Sequence, residues 1–205
     1  KLGIQIAALD KELGGINPEE KLDLVDLRRM ARFQTAMENY RRAIVSGGND
    51  AELAKLEAKA APLAPKDFKF ADFRARFQLQ RLFPEYYRSV TGKGDESKSE
   101  ELAKKLEATS SDDVEALTQI AWTLLTDSKI KNRNLKLAAK LAQSAVDVSE
   151  SKDANALETH ARALFDTGKV SEAIKQQKRA IEVGEREKKA EMEATLKQYQ
   201  EKAAK

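Results

Sequence analysis

The stretches ALTQIAWTL (residues 116–124) and ALETHARAL (residues 156–164) align without gaps and share the pattern A-L-x-x-x-A-x-x-L. Two further segments, residues 138–148 and 173–183, repeat each other in the same way. The first pair is separated by 40 residues and the second by 35. Because self-similarity at such a period is typical of repeated helix pairs, we expect two helical hairpins. The turn of the first hairpin, within residues 127–134, should be five residues longer.

The repeated alanines indicate close helix packing. Small side chains let two antiparallel helices approach each other, and the surrounding leucines and valines fill the layer between them. A single hairpin cannot bury its apolar faces, so neighbouring hairpins must stack. Gly168 follows Asp166 and Thr167 and permits a tight turn between the two helices of the second hairpin.

The rest of the chain also predicts helices. A first helix is expected over residues 4–13, and a long second helix from Asn17-Pro18 to residue 46. The apolar residues of the long helix recur in steps of three and four: Met30, Phe33, Met37, Tyr40 and Ile44. An aromatic-rich helix follows over residues 70–82, and Pro84 is expected to begin a separate short helical turn. No stretch shows the apolar–polar alternation of a strand.

The predicted fold class is therefore all-α, with antiparallel helix hairpins stacked as an α-solenoid and a divergent helical N-terminal half. Residues 1–110 form the divergent hairpin region, and residues 112–184 form the two repeats. Residues 185–205 form a charged closing helix that covers the last hairpin, as a terminal repeat requires.

Composition excludes several classes of function. The chain of 205 residues carries 37 basic and 34 acidic side chains, a net charge of +3, whereas nucleic-acid and membrane-surface binders normally show a large one-sided excess. It has no cysteine and one histidine, which argues against thiol catalysis, disulfides and a Cys/His metal site. No apolar run approaches the roughly 20 residues of a membrane span. We expect no cofactor, no metal and no catalytic residue. Because the chain begins at Lys1, we also expect a fragment or a processed form.

Residues 154–183 resemble one tetratricopeptide repeat. The signature places of that family are occupied by Leu157, Ala161, Leu164, Gly168, Ala173, Ala180 and Ile181. His160 stands where leucine is usual and Gln177 where an aromatic residue is usual. Residues 114–148 match less closely because of the long turn, and residues 36–44 keep only the spacing of a second helix.

The resemblance implies a protein–protein interaction module whose first helices line a concave, ligand-facing surface. The residues placed there are Thr118, Trp122, Leu125, Glu158, Arg162 and Phe165. Trp122 and Phe165 would be apolar anchors for a partner; alternatively, the N-terminal helices fold back and bury both. These residues lack the lysines and asparagines of repeats that bind acidic C-terminal tails.

A looser second resemblance is to the C-terminal helical tails of bacterial thioredoxin-domain proteins, carried by residues 120–125, the lysine–asparagine turn and residues 158–181. It implies the non-catalytic extension of a larger, extracytoplasmic bacterial protein, although this chain has no C-x-x-C. Other hypotheses remain open. The domain could serve self-association, and seven of the chain's 12 aromatic residues lie among cations in residues 66–88, as in single-strand nucleic-acid binders. An all-α enzyme has no positive indication.

Two patterns that suggest chemistry also have a structural interpretation. Phe70, Phe73 and Phe77 lie at helical spacing, which favours a core stripe over a nucleic-acid surface. His160 aligns with Ile120, which places it on the packed face between helices rather than in a metal site. We therefore expect His160 to be a buried structural residue whose pKa depends on its burial.

Overall fold

The computed structural model describes residues 24–204, and the regular secondary structure of these residues is entirely helical, with no strand. They belong to two compact units, Lys1–Phe70 and Ala71–Lys205. The helix predicted over residues 4–13 and the helix start predicted at Asn17-Pro18 lie outside the described residues. Within the described residues, the all-α fold class is confirmed.

The first unit contains helices α1 (Leu24–Ser46) and α2 (Asp50–Ala60) and a short 3-10 turn (Ala61–Leu63). Asn49 caps α2, since its side chain accepts a hydrogen bond from the amide of Glu52. The predicted stripe of α1 is confirmed at four positions that are at least 93% buried: Phe33, Met37, Tyr40 and Ile44. The Phe33 ring packs edge-on against Phe68 at 5.0 Å. This stripe holds α1 against the segment that follows it.

The second unit contains the repeat. Its helices are α3 (Phe70–Val90), α4 (Ser99–Ala108), α5 (Val114–Thr126), α6 (Leu135–Val148), α7 (Ala154–Asp166), α8 (Val170–Val183) and α9 (Lys189–Ala203). The bounds of α5 and α7 differ by 40 residues at both ends, and those of α6 and α8 by 35. The turn between α5 and α6 is therefore five residues longer than the turn between α7 and α8. The predicted offsets of the repeat are confirmed.

The helices of this unit pack in chain order. α5 packs on α6 and α7 on α8, and α7 also contacts α5 and α6. α4 contacts α6, and the closing helix α9 covers α8. Repeated alanines at the helix contacts are fully buried, among them Ala121, Ala138, Ala161 and Ala173. Their small size permits the close approach that the sequence pattern predicts.

Local chemistry sets the ends of these helices. Asp113, Asn134 and Asp153 each cap the following helix, because their side chains accept a hydrogen bond from the amide three residues on. Gly168 has φ of +82°, the left-handed conformation that ends α7 at little cost for glycine. The turn after α6, which joins the two hairpins, places two residues other than glycine at positive φ, Glu150 at 51° and Ser151 at 60°.

Helix α3 departs from the prediction in two ways. It continues through Pro84, which was expected to begin a separate turn. Its buried face consists of Ala75, Leu79, Leu82 and Tyr86, whereas Phe73 and Phe77 are only partly buried. Leu79, Leu82 and Tyr86 share one apolar core with the repeat helices. That shared core explains why the second compact unit begins at Ala71, although the sequence placed a boundary after residue 110.

Candidate functional site

A groove lies between the first helices of the two hairpins, α5 and α7. Its volume is about 560 Å³. The residues that line it are Glu115, Thr118, Gln119 and Trp122 on the α5 side, and Asp153, Asn155, Glu158 and Thr159 on the α7 side. We call this the α5–α7 groove. Three of the six residues predicted for the ligand-facing surface, Thr118, Trp122 and Glu158, therefore line one cavity.

Trp122 is the main apolar side chain of the groove. It is 43% exposed, in a unit whose other large apolar side chains are mostly buried. The helices of the second unit therefore leave a large part of this side chain uncovered. An exposed indole beside a cavity offers a large contact area at small cost in side-chain entropy, which is why tryptophan is enriched among residues that dominate binding energy.

Leu125 does not belong to this surface. It was predicted to face a ligand, yet it is 0% exposed and lies in the apolar core of the second unit. The long turn after α5 supplies Ile130 to the same core, where it is 2% exposed. A side chain that is fully enclosed offers no surface to a partner, so we remove Leu125 from the candidate site.

Phe165, the other predicted anchor, is covered by the closing helix. Its ring stacks on Tyr199 of α9, with the ring centroids 4.3 Å apart and the planes 19° apart. Tyr199 is only 3% exposed, and this burial raises the pKa of its hydroxyl to about 12. Phe165 thus holds α9 on the last hairpin and does not form a joint anchor with Trp122.

Arg162 faces a different cavity. Its Nε donates to both carboxylate oxygens of Asp166, at 2.9 and 3.0 Å, one turn further along α7. Both residues line a larger cavity of about 980 Å³ with Tyr86 of α3 and the turn after α5. The cations and carboxylates of that cavity balance in number, and Arg162 is already paired. The larger cavity therefore carries weaker evidence for a ligand than the α5–α7 groove.

Glu158 is the half-buried carboxylate of the groove. Burial raises the pKa of Glu158, and the nearby carboxylate of Glu191 adds to the rise. A hydrogen bond from Gln177 and the ammonium group of Lys188 act in the opposite direction. Gln177 also donates to the carbonyl oxygen of Met192 at 3.0 Å, which ties α9 to α8. Gln177 thus makes a buried polar contact with the closing helix.

His160 lies behind the groove, on the packed face of α7. It is 5% exposed, and its Nδ1 has no hydrogen-bond partner among the described residues. Burial lowers the pKa of His160, and the carboxylates of Asp147 and Glu172 only partly offset this effect. The neutral imidazole is therefore favoured, as expected for a structural residue.

Other kinds of site have no counterpart in the described part of the chain. No three side chains of the metal-ligating types come together there to hold an ion. Over the same residues, no helix combines the length and the apolar character that crossing a bilayer requires. Compared with known proteins, the chain matches no family model, no curated protein and no solved structure.

Proposed function

We propose that this chain is a protein-interaction module of the tetratricopeptide type, and that its α5–α7 groove binds an extended segment of a partner protein. The observation that carries the proposal is the exposed indole of Trp122 beside a cavity of about 560 Å³ between the first helices of two hairpins. In stacked helical hairpins, such first helices line the concave face, which is the usual binding surface.

The surroundings of the groove support the proposal. The described lining residues of the groove belong to two helices and the cap of α7. Each of these helices is anchored by fully buried leucines, Leu117 and Leu157 among them. A groove between two firmly packed helices can bind a flexible segment with little rearrangement of the groove itself. The proposed partner therefore supplies the flexible element, and this chain supplies the preformed surface.

The test is a selection from a displayed library of random peptides, carried out on the wild-type chain. The selected peptides are then titrated against Trp122→Ala. Because truncation of a central aromatic anchor typically costs about 2 kcal/mol or more, we expect the affinity to fall at least about tenfold. Far-UV circular dichroism of the variant checks that its helices are intact.

The matched control is Val183→Ala. Val183 is a large apolar residue of similar exposure, 47%, but it lies on α8 and does not line the groove. Its removal should leave the affinity unchanged. The proposal fails if no peptide is enriched, or if the selected peptides bind the Trp122→Ala variant as tightly as the wild type.

A second copy of this chain is the other occupant that the sequence suggests. Size-exclusion chromatography with light scattering distinguishes the two. Under our proposal, the chain is a monomer at micromolar concentration, and Trp122→Ala does not change its mass. A dimer that Trp122→Ala dissociates would assign the groove to self-association instead.

A further inference from the structure

Two hollows lie side by side along α5, and they differ in chemistry. The first is the α5–α7 groove. The second is a smaller hollow of about 290 Å³ between α3 and α5, lined by apolar groups that include Leu79, Phe83 and Pro84. We call it the Pro84 hollow. Gln119 of α5 lines both hollows, so they adjoin on one helix.

The α5–α7 groove is acidic. Of its eight described lining residues, three carry carboxylates, Glu115, Asp153 and Glu158, and none carries a cation. Glu191 lies close enough to Glu158 to repel it, whereas the ammonium group of Lys188 attracts it. Lys188 is exposed and donates to Oδ1 of the lining residue Asn155 at 3.4 Å, so one cation already lies at the edge of the groove, where the three carboxylates outnumber it. Glu115 is exposed and forms no ion pair within residues 24–204. A cation that enters the groove thus meets several carboxylates and an indole face, and both attract positive charge.

The Pro84 hollow favours an apolar group. Phe83 is half-buried beside Tyr87, with the ring centroids 6.1 Å apart, and Pro84 is exposed at the rim. Gln80 lines the hollow as well, but most of its lining residues are apolar, which suits an apolar side chain.

We propose that the partner segment is basic: it places a lysine or arginine in the α5–α7 groove and an apolar side chain in the Pro84 hollow. This inference rests on the proposed function and specifies its ligand. The hollows flank one helix, and neighbouring helix axes lie about 10 Å apart. A segment in the polyproline II conformation has three residues per turn and advances about 3.1 Å per residue, so side chains three positions apart lie on one face about 9 Å from each other. We therefore expect the two side chains to be three positions apart.

The experiment uses short synthetic peptides. One carries arginine and leucine three positions apart in a neutral serine–threonine background, a second has glutamate in place of arginine, and a third has alanine in place of leucine. Trp122 is the only tryptophan of the chain, so its fluorescence reports occupation of the groove directly. We expect the basic peptide to bind at least about tenfold more tightly than the acidic one, since reversal of a charge replaces attraction by repulsion.

Two variants test the carboxylates. The double variant Glu115→Gln/Glu158→Gln keeps the shape of the groove and removes two charges, so the affinity for the basic peptide should fall between about twofold and tenfold. The control is Glu182→Gln, which removes an exposed carboxylate of α8 outside both hollows. Added salt should weaken the binding to the wild type more than to the double variant.

The possible results separate the two proposals. Equal binding of the basic and acidic peptides, or an unchanged affinity of the double variant, overturns the basic-ligand inference. The proposed function survives that result if library-selected peptides still require Trp122. If no selected or synthetic peptide depends on Trp122, both proposals fail.

Discussion

The stack of Phe165 on Tyr199 gives the clearest quantitative prediction about the architecture. The ring centroids are 4.3 Å apart with the planes 19° apart, and Tyr199 is 3% exposed, so the two rings stack in a buried position. Aromatic pairs of this kind contribute about 0.5–1.5 kcal/mol beyond the burial of their area. We therefore expect the double-mutant cycle of Phe165→Leu and Tyr199→Leu to give a coupling free energy of about 1 kcal/mol.

The assay is urea unfolding followed by the fluorescence of Trp122, which belongs to the second compact unit and reports on it. Tyr199→Leu should reduce the free energy of unfolding more than Phe165→Leu, because Tyr199 is the more deeply buried partner. Tyr199→Phe is the control, since it keeps the stack and removes only the hydroxyl. A coupling free energy within about 0.3 kcal/mol of zero would refute the claim that Phe165 serves to dock α9.

Three further predictions concern single residues. Burial lowers the pKa of His160, so the unfolded chain binds a proton more readily as the pH falls below about 6.5, and the free energy of unfolding decreases. His160→Leu should keep or raise the melting temperature at pH 7, and it should lose less stability than the wild type between pH 7 and about pH 5.5. An equal loss of stability in the two proteins would refute the lowered pKa of His160. Loss of peptide binding with the fold intact would refute the structural role of His160. The pKa of Glu158 is raised, so its ionisation reduces stability as the pH rises through its ordinary pKa of about 4.3 toward the folded value. Glu158→Gln should therefore raise the melting temperature at pH 7 but not at pH 3, and a lower melting temperature at pH 7 would contradict the raised pKa. Ser151 has φ of +60°, and Ser151→Gly should stabilise the turn after α6 by up to about 1 kcal/mol in thermal unfolding; destabilisation would show that the turn has no strain to relieve.

The repeat helices could be predicted from the sequence because their signal is local. The alanine–leucine pattern fixes the offsets of 40 and 35 residues, and the structure reproduces them at the helix ends. The continuation of α3 through Pro84 could not be predicted in this way. Proline weakens a helix locally, whereas burial of Leu82 and Tyr86 on either side of Pro84 stabilises it through contacts with distant residues.

The candidate site shows the same division between local and distant effects. Trp122 and Leu125 are three residues apart on α5, about 60° apart around the helix, and periodicity alone could not show which of them a neighbour covers. Leu125 and Phe165 occupy equivalent positions in the two repeats, so the sequence predicted the same exposure for both. The long turn with Ile130 contributes to the core that encloses Leu125, while Tyr199 covers Phe165. Both differences depend on parts of the chain that lie outside the repeat pattern.

Quenching of Trp122 fluorescence by acrylamide tests the central claim most directly, because this tryptophan is the only one and lies at the proposed binding surface. In the free chain, Trp122 should be readily quenched, as its exposure of 43% requires. Addition of a library-selected peptide should protect it from quenching, and Val183→Ala should not alter that protection. A Trp122 that resists quenching in the free chain, or that stays equally accessible when the peptide is bound, would contradict the assignment of the α5–α7 groove as the interaction site.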